Sequence, residues 1–100
     1  MKQKVYELLR TIPYGKVVTY GDIATALGNK KLARVVGNIL HQNEDVITYP
    51  CYKVVTAKGE LSKAYGLGGI KEQEALLKKE GVEVIDGKVD LSKYHFASLK

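Results

Sequence analysis

The sequence predicts a mostly α-helical single domain with small β elements, spanning residues 1–100, and three observations predict it. Apolar side chains recur at helical spacing from Val5 to Leu40. Two of the resulting helices meet at a tight turn, Gly28-Asn29-Lys30. Near the end, Asp86-Gly87 separates two short apolar-polar runs, a pair favoured in two-residue hairpins because both residues tolerate positive φ. Helix, turn, helix and a later hairpin outline a winged helix-turn-helix.

The elements follow in order. Val5, Leu8, Leu9 and Ile12 lie at i, i+3, i+4 and i+7, one apolar face of a helix over 2–11 that Pro13 and Gly15 end. Lys16-Val17-Val18 is a short extended stretch. Thr19 with Asp22 three residues on reads as a shortened capping box, opening a helix that carries Ile23, Ala24, Ala26 and Leu27 and stops at Gly28. Leu32, Val35, Val36, Ile39 and Leu40 then form a core-facing stripe. The opposite face holds Lys31, Arg34, Asn38 and His41, with Ala33 and Gly37 leaving the flank thin. This pair fits a helix-turn-helix and fits a generic antiparallel helix pair equally; periodicity does not choose between them. Ile47 to Tyr52 is a loop pinned by Pro50, and Lys53-Val54-Val55-Thr56 reads as a strand. A glycine-rich segment covers 59–69, a helix covers 70–80 and is closed by Gly81, and a hairpin covers 82–91. Repeats and long linkers are absent.

Composition narrows the function classes. With 45% apolar and 27% charged residues the chain is an ordinary globular domain, which excludes collagen-like and low-complexity chains. Its apolar runs are too short to cross a bilayer, and the start lacks the apolar core of a signal peptide, so a cytoplasmic monomer is expected. Sixteen basic against eleven acidic residues give +5. Their distribution is more informative: no acid lies between Asp22 and Glu44, where Lys30, Lys31 and Arg34 fall. Contact with a polyanion is therefore expected around residues 30–43. One cysteine excludes an internal disulfide, and two histidines without a second thiol at ligand spacing argue against a zinc site; no cofactor signature is present.

Cys51 is either a small buried hydrophobe or a nucleophile. It follows Pro50 directly, beyond the basic helix and ahead of a strand that would hold it rigid. The run Ile12-Pro13-Tyr14-Gly15-Lys16-Val17-Val18-Thr19-Tyr20-Gly21-Asp22-Ile23-Ala24, then Ala33-Arg34-Val35-Val36-Gly37-Asn38, Asn43, Pro50-Cys51-Tyr52-Lys53-Val54-Val55, Gly68-Gly69 and Leu76-Leu77-Lys78-Lys79-Glu80-Gly81 appear in that order. With these motifs in register, the chain resembles the DNA-binding and active-site domain of the O6-alkylguanine-DNA alkyltransferases. The resemblance runs from about Val5 to about Leu91.

The resemblance implies double-stranded DNA containing O6-alkylguanine as partner, a recognition helix in the minor groove, and a role for each matching residue. Ala33 and Gly37 let that helix approach closely, with Asn38, Lys31 and Lys30 on the same DNA surface. Arg34 fills the stack left by the extruded base, and Tyr20 presses on the phosphate beside it. Asn43 braces the turn towards the active-site loop, while Pro50, Val54 and Tyr65 line the substrate pocket. Cys51 accepts the alkyl group irreversibly, and Glu80 ends a proton relay.

Three departures stand out. Tyr52 occupies the position of the family's histidine and Lys53 that of its arginine; a phenol, with a pKa near about 10, does not replace the imidazole as a base. The segment between Gly59 and Gly68 is longer than usual, which leaves the register of Tyr65 open, and a domain acting without the N-terminal companion domain is expected. The alkyltransferase-like proteins, which bind alkylated DNA without dealkylating it and leave room for a repair-protein partner, are the alternative. They typically replace the cysteine and keep the histidine, the reverse of Cys51-Tyr52. An ordinary thiol with pKa near about 8.5 retains some thiolate at neutral pH, so transfer to Cys51 without the relay is expected, slowed by about 10²–10⁴-fold.

Gly66-Leu67-Gly68-Gly69 reads as a pocket loop or plain turn, because it lacks the lysine and threonine of a phosphate loop. Glu72, Glu74, Glu80, Glu83 and Asp86 read mostly as a solvated face, with only Glu80 holding a position in the family's pattern, and His41 and His95 lack partners that would argue for catalysis. A winged-helix regulator reading the major groove would use the hairpin, but has no use for Pro50-Cys51 and favours longer side chains than Ala33 and Gly37.

Overall fold

The computed structural model describes residues 2–42, 48–61, 69–97 and 99. The order is α1 (Lys2–Leu9), β1 (Val18–Thr19), α2 (Tyr20–Ala26), α3 (Ala33–His41), β2 (Val54–Val55), α4 (Gly69–Lys79), β3 (Val84–Ile85), β4 (Lys88–Val89) and α5 (Leu91–Tyr94). Single 3₁₀ turns precede α3 at Lys30–Leu32 and β2 at Cys51–Lys53. No helix among the described residues is long and apolar enough to cross a membrane.

The strands are short because their work is local. β1 and β2 pair in parallel, Val18 opposite Val54 and Thr19 opposite Val55. Side chains alternate across a strand, so this ladder divides the interior in two. Val18 and Val54 face a core of Val5, Leu8, Leu9, Ile23, Val36 and Leu40 under the first three helices. Val17 and Val55 face a second core with Leu61, Leu77, Val82 and Val89, between α4 and the hairpin. The C-terminal segment closes over β1: the Val17 amide donates to the Tyr94 carbonyl at 2.9 Å, and the Phe96 amide to the Val17 carbonyl at 2.9 Å.

The helix-turn-helix is held by its termini. The Thr19 hydroxyl accepts the Asp22 amide at 3.0 Å while the Asp22 carboxylate accepts the Thr19 amide at 2.8 Å, the capping box that the spacing predicts. At the other end Gly28, at φ +96°, donates to Thr25 while Asn29 donates to Ala24. Those two bonds close α2 as a Schellman motif, which needs the left-handed residue that glycine supplies. The Asn29 side chain then accepts from the Lys31 amide at 2.9 Å and starts the next turn. In the hairpin Asp86 (φ 54°) and Gly87 (φ 73°) are both left-handed, as the Asp-Gly pair predicts.

Several expectations need correction. The first helix ends at Leu9 rather than residue 11, its last turn closed by the Thr11 hydroxyl donating to the Leu8 carbonyl. The strand expected over 53–56 shrinks to Val54–Val55 because the 3₁₀ turn takes up Cys51–Lys53. Leu32 sits in a 3₁₀ turn, which changes the phase of the helix behind it. Val35, expected in the core stripe, is 40% exposed, while Val36 and Leu40 carry the buried face. His95, read as having no partner that would argue for catalysis, has a structural one: it lies 2.6 Å from the Asp22 carboxylate and ties the C-terminal segment to the start of α2.

Candidate nucleic-acid interface and active-site loop

The outer face of α3 and the turn before it expose Lys30, Lys31, Arg34, Val35, Asn38 and His41. Ala33 and Gly37, half-buried, make the adjoining flank shallow. No acidic side chain belongs to this helix or its leading turn, so the surface attracts polyanions. Tyr20 opens α2 immediately after its cap and packs half-buried against the first core. The sequence-predicted cationic and small residues are thus brought onto one helix face, with Tyr20 on the neighbouring helix. Asn43 and Tyr65 lie outside the described residues.

Cys51 is 4% exposed and sits where two tight turns meet. Its amide donates to the Tyr49 carbonyl at 2.7 Å around Pro50, whose φ of −75° and ψ of 70° are those of an inverse γ-turn. The Pro50 carbonyl accepts the Lys53 amide at 3.1 Å, and the Cys51 carbonyl accepts the Val54 amide, so the thiol-bearing residue is fixed on both sides. Tyr49 stacks on Tyr6 of α1 with ring centroids 4.9 Å apart, and the Tyr6 hydroxyl donates to the Ile39 carbonyl of α3. From α4, the fully buried Gln73 donates to the carbonyls of Tyr52 at 3.1 Å and Val54 at 3.2 Å. Val54, expected to line a substrate pocket, has no accessible surface; its side chain is committed to the first core opposite Val18.

Glu80 departs most from its expected setting. Expected at the end of a proton relay and, of the carboxylates in this part of the chain, the one with a place in the family's pattern, it has only 10% of its side chain exposed. Its Oε1 accepts the Gly15 amide at 2.9 Å and pairs with Lys53 Nζ at 2.9 Å, and its Oε2 accepts the Tyr52 hydroxyl at 2.5 Å. Burial works to raise its pKa, but the Tyr52 hydroxyl, the Gly15 amide and Lys53 together outweigh it and hold the carboxyl below its ordinary value. Lys53, 3% exposed, also donates to the carbonyls of Pro13 at 2.7 Å and Ile12 at 3.2 Å. A Schellman motif places the carboxylate: Gly81 at φ +81° donates to Lys78, and Val82 to Leu77. The turn at Ile12–Gly15 is clasped again by the Tyr14 hydroxyl, 2.8 Å from the Lys79 carbonyl.

Chemically, the site combines a buried thiol, an ionised carboxylate occupied by three donors, and a tyrosine whose proton points at that carboxylate. Glu80 with both oxygens engaged and its basicity lowered serves to orient Tyr52 and Lys53. Sequence reasoning missed Lys53, Gly15, Gln73 and Tyr14 as parts of this site. The only local signal was a lone lysine within Val-rich surroundings; Gly15 and Glu80 are 65 residues apart, and periodicity carries no information about such a meeting.

Comparison with known proteins gives the same outline. The family described as 6-O-methylguanine DNA methyltransferase, DNA binding domain, matches residues 1–82. A bifunctional methyltransferase/endonuclease of Picrophilus torridus is 46% identical over 92 residues, covering 92% of this chain and 30% of that protein. A methylated-DNA–protein-cysteine methyltransferase of Mycobacterium tuberculosis is 43% identical over 79 residues, covering 79% of this chain and 47% of that protein. The chain thus spans half or less of either relative. S. pombe Atl1, solved in complex with damaged DNA containing O6-carboxymethylguanine, superimposes with a TM-score of 0.86 at 34% identity, covering 95% of this chain and 93% of that one. Helix pair, hairpin and cysteine loop agree with these matches, and the chain belongs to the 6-O-methylguanine DNA methyltransferase family through its DNA-binding domain.

Proposed function

We propose that the protein repairs DNA: it binds duplexes containing O6-alkylguanine through the minor groove, extrudes the damaged base and transfers the alkyl group to Cys51. The observation that carries this reading is the placement of Cys51. A thiol is anchored between the β1–β2 ladder and Gln73 of α4, and the loop that bears it stacks through Tyr49 on the helices beneath a cationic recognition face. Extrusion costs a few kcal/mol, and Arg34 inserted into the vacated stack offsets it. In the transfer, the Cys51 thiolate displaces the alkyl carbon from O6. The carbon–oxygen bond breaks as the carbon–sulfur bond forms, the departing guanine takes a proton from water, and the thiol proton has gone to solvent. The thioether is stable, so each molecule acts once.

A second reading, lesion recognition without transfer, is favoured by Tyr52, whose hydroxyl is tied to Glu80 where the family has its histidine. On that reading the protein marks the lesion for another enzyme, and the fusion in the Picrophilus relative names an endonuclease as the class. Intact-mass measurement after incubation with an O6-methylguanine duplex separates the two. Transfer adds the mass of one methyl group to the Cys51 peptide. Binding with an unmodified thiol after hours at pH 8.5 overturns the first reading in favour of the second.

DNA affinity should be steeply salt-dependent and nearly blind to undamaged sequence. Lys30→Ala or Lys31→Ala should each lower the slope of log K against log salt by about 0.9. Arg34→Ala should instead reduce the fluorescence of a base analogue reporting extrusion more than it reduces total binding. Equal extrusion by Arg34→Ala and the parent would remove Arg34 from its assigned role.

A further inference from the structure

The correction at Val35 has a functional consequence. A β-branched side chain at this position lowers helix propensity, and with 40% of it exposed the core does not account for it. Successive residues of a helix are about 100° apart, so Val35 lies beside Arg34 and on the side of Lys31, Asn38 and Gln42, whose side chains are exposed. It is the apolar point on an otherwise polar and cationic face. Among the described residues, the other exposed large apolar side chains are Tyr14, between α1 and β1, Ile70 of α4 and Ile85 of β3.

We infer that Val35 is an apolar wedge that packs against the deoxyribose wall of the minor groove beside the extruded nucleotide, steadying the position from which Arg34 enters the stack. The inference rests on the DNA-binding reading and assigns a residue that this reading does not use. The occupant follows from chemistry on the page. The face is cationic, which selects a polyanion, and Ala33 and Gly37 make its flank thin enough for close approach. The walls of a minor groove are sugar edges, the apolar part of an otherwise charged polymer. Apolar wedges are a recurrent device of minor-groove binders. Val35 offers methyl groups there without a charge to desolvate.

The test measures binding of the parent, Val35→Ala and Val35→Thr to an O6-methylguanine duplex over a salt series, together with thermal midpoints. Val35→Ala removes two methyl groups from the contact and is expected to weaken binding about fivefold to tenfold. Val35→Thr keeps the shape and exchanges a methyl for a hydroxyl, and is expected to fall between the two. The salt slope should not change, because no phosphate contact is lost. The thermal midpoint should hold, since Ala is the better helix former at an exposed position. Val35→Ala binding within twofold of the parent, a salt slope reduced by one contact, or a lowered midpoint overturns the inference. A parent that does not bind the lesion duplex overturns the DNA-binding reading itself, which is a separate result.

Discussion

Under the proposed transfer, Cys51→Ser should abolish alkylation, the largest effect expected of any single substitution, while lesion binding should stay within about twofold of the parent. The separation follows from geometry. Cys51 is buried at the head of a turn fixed by Pro50 and Gln73, whereas the cationic face proposed to meet the duplex belongs to α3 and its leading turn. Removing sulfur removes the nucleophile and leaves that face intact. In the parent, the transfer rate should rise with pH, because thiolate rather than thiol attacks and Glu80 is already engaged by Tyr52, Lys53 and Gly15. Tyr52→His places an imidazole against the oxygen that now accepts the phenol and should accelerate transfer by about 10²–10⁴-fold at neutral pH, the usual contribution of a general base. The same substitution should flatten the pH–rate profile. A parent rate independent of pH between about 6 and 9 would show that a group other than bulk hydroxide takes the proton.

Lysine 53 is the stability counterpart. Lys53→Met strands the buried Glu80 carboxylate without its cation, at an expected cost of about 3–5 kcal/mol. For a domain of this size that lowers the thermal midpoint by upward of about 12 °C. The double variant Lys53→Met/Glu80→Gln should recover much of the loss, since the amide oxygen still accepts from Gly15, the amide nitrogen donates to the Tyr52 oxygen in place of the carboxylate's acceptance, and no unpaired charge is left. Denaturant unfolding of the two variants measures the difference; a Lys53→Met cost below about 1 kcal/mol would mean that the pair is not load-carrying in the folded state. The pH dependence has a definite sign. Because the folded-state pKa of Glu80 is depressed, its stabilisation is complete above the ordinary glutamate pKa of about 4.3 and disappears as pH falls through the folded value. The advantage of the parent over Glu80→Gln should therefore shrink below about pH 4.3.

The helix pair, its caps and the hairpin were legible in the sequence because each is a local matter. Thr19 with Asp22, Gly28 before Asn29, and Asp86-Gly87 act within a few residues of themselves, and the structure places a cap, a stop and a turn at those positions. The cationic face and the thiol in its turn were equally legible, from the acid-free interval and from Pro50-Cys51. Val35 was misread because an apolar residue at the edge of the stripe reads as core, whereas in α3 it lies about 100° around the helix from the fully buried Val36 and is 40% exposed. The burial of the Val54 side chain opposite Val18 was not legible, because a residue next to the cysteine loop can equally be the strand that supports it.

By itself, then, the sequence determined the main elements, the cationic face of α3, the cysteine in its tight turn and the family. Only the tertiary structure decided what surrounds Tyr52. Glu80, Lys53 and the Ile12–Gly15 turn come together from three distant parts of the chain. Buried charges and amides must each find a partner, and that requirement is met by whichever groups the packing of two cores delivers to the same place. Propensity and spacing describe neighbours along the chain; the setting of Glu80 depends on neighbours in space.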